Sequence, residues 1–200
     1  MISLSPLLFW DVDTQVDFME SGGKLYVPGA EKIAANVRLL NAWAASHNVQ
    51  VVSSTDAHLP TDPEFQEYPP HCLAGTTGQK KIAGTVLPKT FVIPNRPIDL
   101  PADLSSFEQI IVEKQALDVF TNPNVESLLE RVAAGKEVVL YGVVTEICVD
   151  KAARGLIQRH HHVHIVSDAI QHLNEEAAKE TVKNVLENGG RVLTTAEIVE

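Results

Sequence analysis

Short apolar runs alternate with amphipathic, helix-length stretches along almost the whole chain, and this alternation restricts the fold more than any other feature. Leu7 to Val12 reads as a buried strand, and Ala30 to His47 as a helix whose apolar face carries Ile33, Val37, Leu40 and Trp43. Val49 to Ser53 is a second strand, Thr85 to Ile93 an extended segment, and Gln109 to Val112 another short strand. The pattern then predicts a helix over Asn124 to Ala134, ending near Gly135, and a strand over Glu137 to Tyr141. A helix over Ile147 to Arg159, a strand over Val163 to Val166, a helix over Glu175 to Asn188 and a strand over Arg191 to Leu193 complete the series. Apolar strands alternating with helices require a sheet covered on both faces. The expected fold class is therefore α/β: a single three-layer α/β/α domain over residues 1–200 with a mostly parallel, doubly wound sheet. With 44% hydrophobic and 21% charged residues, a chain of 200 residues suffices for one such core.

In sheets of this kind functional groups collect beyond the carboxyl ends of the strands. The first strand ends in Asp11-Val-Asp13-Thr-Gln15-Val-Asp17-Phe18, and the second leads to Asp56 and His58. The strand at 110–112 ends in Glu113-Lys114, and the strand at 137–141 leads to Thr145-Glu-Ile-Cys148. Taken singly, such an Asp is usually a turn former, such a Lys is solvated, and such a Cys is a small core residue. Together at one sheet edge they read as a site. A dinucleotide is the competing use of that edge, but no G-x-G-x-x-G follows the first strand, and its acidic residues would repel a pyrophosphate.

Residues 56–71 hold Asp56, His58, Glu64 and His71 in a stretch broken by prolines 60, 63, 69 and 70. The prolines exclude a regular helix and stiffen the loop. If the loop curls back, these residues make a site of two nitrogens and two oxygens, suited to one divalent transition metal ion (Zn, Mn or Fe) rather than Mg²⁺ or Ca²⁺. The competing reading is a solvated polar loop. Cys148, at the start of an expected helix, has a rationale as a nucleophile, because free N–H groups there favour a thiolate. Asp13 is placed to take the thiol proton, and Lys114 to hold carboxylate and thiolate together. The backbone N–H groups of Val144 and Cys148 can aim at a developing oxyanion. His160, His161, His162 and His164 read as helix-terminus and surface residues.

These motifs resemble the cysteine hydrolases of the isochorismatase-like superfamily over nearly the whole chain, and within it most closely the nicotinamidases (pyrazinamidases). Val12-Asp13-Thr-Gln15-Val-Asp17-Phe18 is similar to the V-D-x-Q-x-D-F opening, Lys114 to the lysine after a strand, and Gly142-Val-Val-Thr145-Glu-Ile-Cys148-Val149 to the G-x-x-T-x-x-C-V nucleophile motif. Asp56-Ala-His58, then Pro69-Pro70-His71-Cys72 and Gly75-Thr-Thr-Gly78, is similar to D-x-H, P-P-H-C and G-T-x-G of nicotinamidases. The resemblance implies Asp13, Lys114 and Cys148 as catalytic residues and a cis peptide at Val143–Val144. It also implies Glu64 as third metal ligand, with Asp62 as the fallback, and Gln15, Phe18 and Tyr68 on the substrate side. Trp10-Asp11 departs from the pattern, since two apolar residues are commoner there.

The implied activity is hydrolysis of nicotinamide to nicotinic acid and ammonia, a step of NAD salvage, with a small-molecule amide as partner and a homo-oligomeric assembly. Alternatives are another small amide or carbamoyl compound as substrate, or a catalytically silent metal-binding or interaction protein. A net charge of −10 argues against nucleic acid and anionic membrane. No apolar run reaches the roughly 20 residues of a membrane span, no basic region precedes Leu7-Leu8-Phe9-Trp10 as in a signal peptide, and two cysteines make no disulfide framework. A cytoplasmic location is the expectation.

Overall fold

In the computed structural model, which describes residues 6–200, strands and helices alternate as the apolar pattern requires. β1 (Leu7–Val12), a short α1 (Val16–Met19), α2 (Ala30–Ser46) and β2 (Val51–Asp56) come first. β3 (Thr90–Ile93), β4 (Gln109–Lys114), α3 (Val125–Val132) and β5 (Glu137–Val143) form the middle. α4 (Asp150–Gln158), β6 (Val163–Gln171), α5 (Glu175–Glu187), β7 (Val192–Leu193) and α6 (Thr195–Val199) follow. The first five residues of the expected 1–200 domain lie outside the described residues. The seven strands form one sheet in the order β3-β4-β2-β1-β5-β6-β7, and every pairing is parallel. The sheet is thus wholly rather than mostly parallel, and its order reverses at β1 and β5, where such folds open a crevice.

Alternate residues of β1 feed two separate cores. Leu8, Trp10 and Val12 pack with Leu128 and Leu129 of α3 and Ala153 and Leu156 of α4. Phe9 packs on the other face with Val37, Leu40 and Ala44 of α2 and Ile198 of α6. Each large side chain so buried contributes about 1.5–3 kcal/mol. Asp11 faces the second side and is fully buried. Lys81 Nζ lies 2.8 Å from its Oδ2, Asn41 donates to the same oxygen at 3.0 Å, and Thr14 donates to Oδ1 at 2.8 Å. The polar residue at this strand position therefore has a partner for each oxygen, as a buried carboxylate needs.

Several expected elements shift. Only Thr90–Ile93 of the segment from Thr85 is strand. The helix expected from Ile147 begins as a π-helical turn, Thr145–Val149, before α4. β6 continues past Val166 because its register against β5 slips between Leu140 and Gly142, then resumes at Ile170 and Gln171. His164 is buried in β6, not a surface residue: its Nε2 lies 2.9 Å from Glu137, and its Nδ1 accepts from the Arg191 N–H at 3.0 Å. No helix among the described residues is long and apolar enough to cross a membrane.

Candidate active site

Parallel register places three charged residues side by side at the carboxyl edge. Asp56 and Lys114, the last residues of β2 and β4, are register partners. Asp13 follows β1, with its N–H donating to Ser54 O at 3.2 Å and its Oδ1 accepting from Ser54 Oγ at 2.7 Å. Lys114 Nζ pairs with Asp56 Oδ1, stands 3.0 Å from Asp13 Oδ2 and reaches within 3.7 Å of Cys148 Sγ. All four side chains are buried.

Cys148 is delivered by the other strand at the switch point. Gly142 has φ +120°, and a Cβ there would lie 2.0 Å from Val12 O, so only glycine lets β5 pass β1 this closely. The Val143–Val144 peptide is cis, as expected from the motif, and the π-helical turn begins directly after it. Val144 and Cys148, whose amides were expected to face an oxyanion, line one cavity.

Burial pushes the Cys148 thiol well above its ordinary range against the pull of Lys114, and Asp13 and Asp56 add to the rise. Burial thus works against the thiolate that a helix N-terminus would favour, and Cys148 lies in the π-helical turn, not in the first turn of an α-helix. Burial also raises the Asp13 carboxyl, opposed by Lys114 and reinforced by Asp56. Asp13 Oδ2 has no hydrogen-bond partner of good geometry, which leaves a buried acceptor for the thiol proton. Burial opposes ionisation of Asp56 too, but Lys114 and the facing imidazoles of His58 and His71 hold it well below the usual carboxylate range.

The proline-rich loop does curl back. One ligand atom each from Asp56, His58, Glu64 and His71 lies within 4.8 Å of the others. His58 Nε2 is 3.8 Å from Asp56 Oδ2 and 3.7 Å from Glu64 Oε1; His71 Nε2 is 3.7 and 3.6 Å from the same two oxygens. These separations exceed hydrogen bonds, and ligand atoms each about 2 Å from a common centre stand roughly this far apart. His58 Nδ1 lies 3.0 Å from Asp62 Oδ2, and His71 Nδ1 lies 2.8 Å from Pro69 O. Those contacts put the ring protons on Nδ1 and turn both Nε2 lone pairs inward. His58 Nε2 is buried without a hydrogen-bond partner, facing carboxylates. Inward lone pairs and carboxylates call for a cation, so the residues fit a divalent transition metal. Asp62 lies outside this ring of four and orients His58 instead of replacing Glu64.

A cavity of about 110 Å³ opens onto this edge. Asp56, Glu64, His71 and Cys148 contribute its polar wall, and Phe18 and Tyr68 line it as expected. Gln15 does not: its Nε2 donates to Asp56 O and Gln79 O, its Oε1 accepts from Asp56 N–H, and it is wholly buried. It fixes the end of β2, and the expectation of a substrate contact is corrected by that full set of bonds. Sequence reasoning missed Ser54, Phe65, whose ring stands 5.1 Å from His58 and 5.7 Å from His71, and the apolar lining by Leu25, Val27, Leu117 and Leu173. It also gave no role to Asp17, whose Oδ2 accepts from the Cys72 N–H at 2.7 Å and so anchors the loop beside His71.

Solved structures share this architecture. N-carbamoylsarcosine amidase from Thermoplasma acidophilum is 26% identical with a TM-score of 0.76, over 97% of this chain and 99% of that one. Pyrazinamidase of Pyrococcus horikoshii in complex with zinc is 23% identical with a TM-score of 0.75, over 94% and 99%. The pyrazinamidase/nicotinamidase from Streptococcus mutans is 20% identical with a TM-score of 0.77, over 94% and 99%. No curated protein matches the chain. The isochorismatase domain family matches residues 7–197, and the chain belongs to that family of hydrolases.

Proposed function

We propose that the chain is a metal-dependent cysteine amidohydrolase that converts nicotinamide to nicotinic acid and ammonia. One observation carries the reading: Asp56, Glu64 and His71 of the four-residue ring and the thiol of Cys148 border the same small cavity, whose lining includes no lysine or arginine. A carboxylate-bearing carbamoyl substrate would find no basic side chain in that lining to pair with its carboxylate. A neutral ring amide meets apolar and aromatic walls. A metal held by the four ligands would supply a Lewis-acidic anchor for the substrate's ring nitrogen.

The reaction itself runs on the chain's own groups. Asp13 takes the Cys148 proton as sulfur attacks the carboxamide carbon, and Lys114 steadies the charge between them. The Val144 and Cys148 N–H groups receive the oxyanion. Asp13 then gives the proton to the leaving nitrogen, releasing ammonia and a thioester. It next takes a proton from water, whose oxygen attacks the thioester; collapse frees nicotinic acid and returns the proton to sulfur.

A panel assay for released ammonia tests the reading with nicotinamide, pyrazinamide and N-carbamoylsarcosine. Nicotinamide and pyrazinamide should turn over, and Cys148→Ala should abolish both. Turnover of N-carbamoylsarcosine with nicotinamide inert overturns the substrate and leaves a related amidohydrolase. Native-rate turnover by Cys148→Ala overturns the mechanism.

A further inference from the structure

Two side chains of the nucleophile turn reach away from the reacting atoms and grip the connector between β6 and α5. Thr145 Oγ1 donates to Gln171 O at 2.9 Å. Glu146 Oε1 accepts from the N–H groups of Leu173 and Asn174, at 2.9 and 2.6 Å. The connector is pinned again on either side. Gln171 Nε2 donates to Pro28 O at 2.7 Å, and the Asn174 side chain caps α5 by accepting from Ala177 N–H at 3.1 Å. Between these pins Leu173 lines the cavity beside Cys148 yet is 56% exposed.

An exposed leucine is ordinary on a surface. Here its backbone is fixed by a carboxylate two residues from the nucleophile, at the mouth of an apolar cavity. The Leu25–Val27 segment, which lines the same cavity, is held as well, since the Tyr26 hydroxyl bonds to Glu31 and accepts from Gly29 N–H at 3.1 Å. Gln171 ties the two rims together through Pro28. The apolar area of Leu173 leaves water only when something occupies the cavity, so a bound ring gains it as a contact.

We propose that Leu173 is a specificity-determining lip that covers the ring of the bound amide, and that Glu146 is the positioning residue that holds it there. The proposal rests on reading the cavity as the amide site. Its substrate class is flat, uncharged and apolar along the edge facing Leu173. The Glu146 grip also keeps the lip in register with the nucleophile, because both belong to one turn.

The test compares Leu173→Ala, Glu146→Ala and Glu146→Gln with the native protein. The readouts are KM and kcat for nicotinamide, and alkylation of Cys148 by iodoacetamide and by the bulkier N-phenylmaleimide. Leu173→Ala should raise KM about fivefold or more, with the effect falling on KM rather than kcat. Glu146→Ala should act in the same direction, and Glu146→Gln, which keeps an oxygen for the two N–H donors, should restore it. Both alanine variants should raise the ratio of bulky to small alkylation rates several-fold. Unmoved KM and an unmoved ratio in Leu173→Ala overturn the lip; failure of Glu146→Gln to rescue overturns the positioning role. Leu173→Ala carries the decision if Glu146→Ala does not fold. If the native protein hydrolyses no amide, the proposed reaction falls, while the alkylation ratio still decides the lip.

Discussion

Asp56 and Lys114 close two adjacent parallel strands as register partners, and their side chains meet there in a buried ion pair. Asp56 also belongs to the ring of metal-capable residues, and Lys114 also adjoins Asp13 and Cys148. One ammonium therefore joins the ring to the thiol and compensates two buried carboxylates. The spacing between the ring and the thiol is set by sheet register, which is stiffer than any loop.

Removing that ammonium should be costly. In Lys114→Met, Asp13 and Asp56 stay buried without compensation, and breaking a buried pair in this way costs about 3–5 kcal/mol. Urea unfolding at neutral pH should show that loss, and amide hydrolysis should fall to background. Lys114→Met combined with Asp56→Asn should recover part of the stability but none of the activity. Native stability in the single variant would show that the pair contributes nothing.

The Asp13 carboxyl, raised above its ordinary range chiefly by burial, should set an acid limb on the proposed activity. Its carboxylate is the form that accepts the thiol proton, so kcat/KM should rise with pH through that raised value and flatten above it. The sign for stability is opposite. A folded-state pKa above the unfolded one makes ionised Asp13 a net cost to folding, relieved as pH falls through the folded value. A pH–rate profile checks the first statement, and a limb inside the ordinary carboxylate range contradicts it.

Much of this was legible in the sequence because strand ends are where both apolar periodicity and chemistry change. Asp13, Lys114 and Cys148 each terminate or follow a buried run, so the strand-end rule alone brings them together. The ring of four metal-capable residues was legible from residue type and from prolines that forbid a helix. The place of Gln15 is hidden because it rests on three backbone bonds, two to Asp56 and one to Gln79, which no spacing rule reveals. The opposition of burial to a Cys148 thiolate is hidden for a different reason: it depends on the whole sheet edge, not on the residue's own helix. Leu173 and Leu117 are invisible in sequence because an apolar residue at a cavity mouth looks like any other.

Metal content offers an independent check. The native protein should hold one ion per chain, and His58→Ala and His71→Ala should lose it. Asp62→Ala, which frees His58 to rotate, should weaken affinity about 10- to 100-fold without abolishing it. Chelation should leave Cys148 open to iodoacetamide, since the thiol is no ligand, while Cys72 stays slow. Cys72 is fully buried, and burial and nearby carboxylates push its thiol far up. Equal, slow alkylation of both cysteines would favour a silent protein over an enzyme.

The loop beside His71 depends on a glycine that no ligand touches. Asp17 Oδ2 accepts from Cys72 N–H at 2.7 Å, and Oδ1 accepts from Lys24 N–H at 3.0 Å. A Cβ at Gly78 would lie 2.1 Å from Asp17 Oδ2. Gly78→Ala must therefore displace the carboxylate and release the peptide adjoining His71. We expect a stability loss of about 1–3 kcal/mol from the unmade bond, together with weaker metal affinity, because one imidazole is no longer held in place. Iodoacetamide should still reach Cys148 at the native rate, since β5 and the π-helical turn lie on other elements. Metal titration of Gly78→Ala beside the native protein is the measurement, and equal affinities would show that Asp17 does not hold the loop.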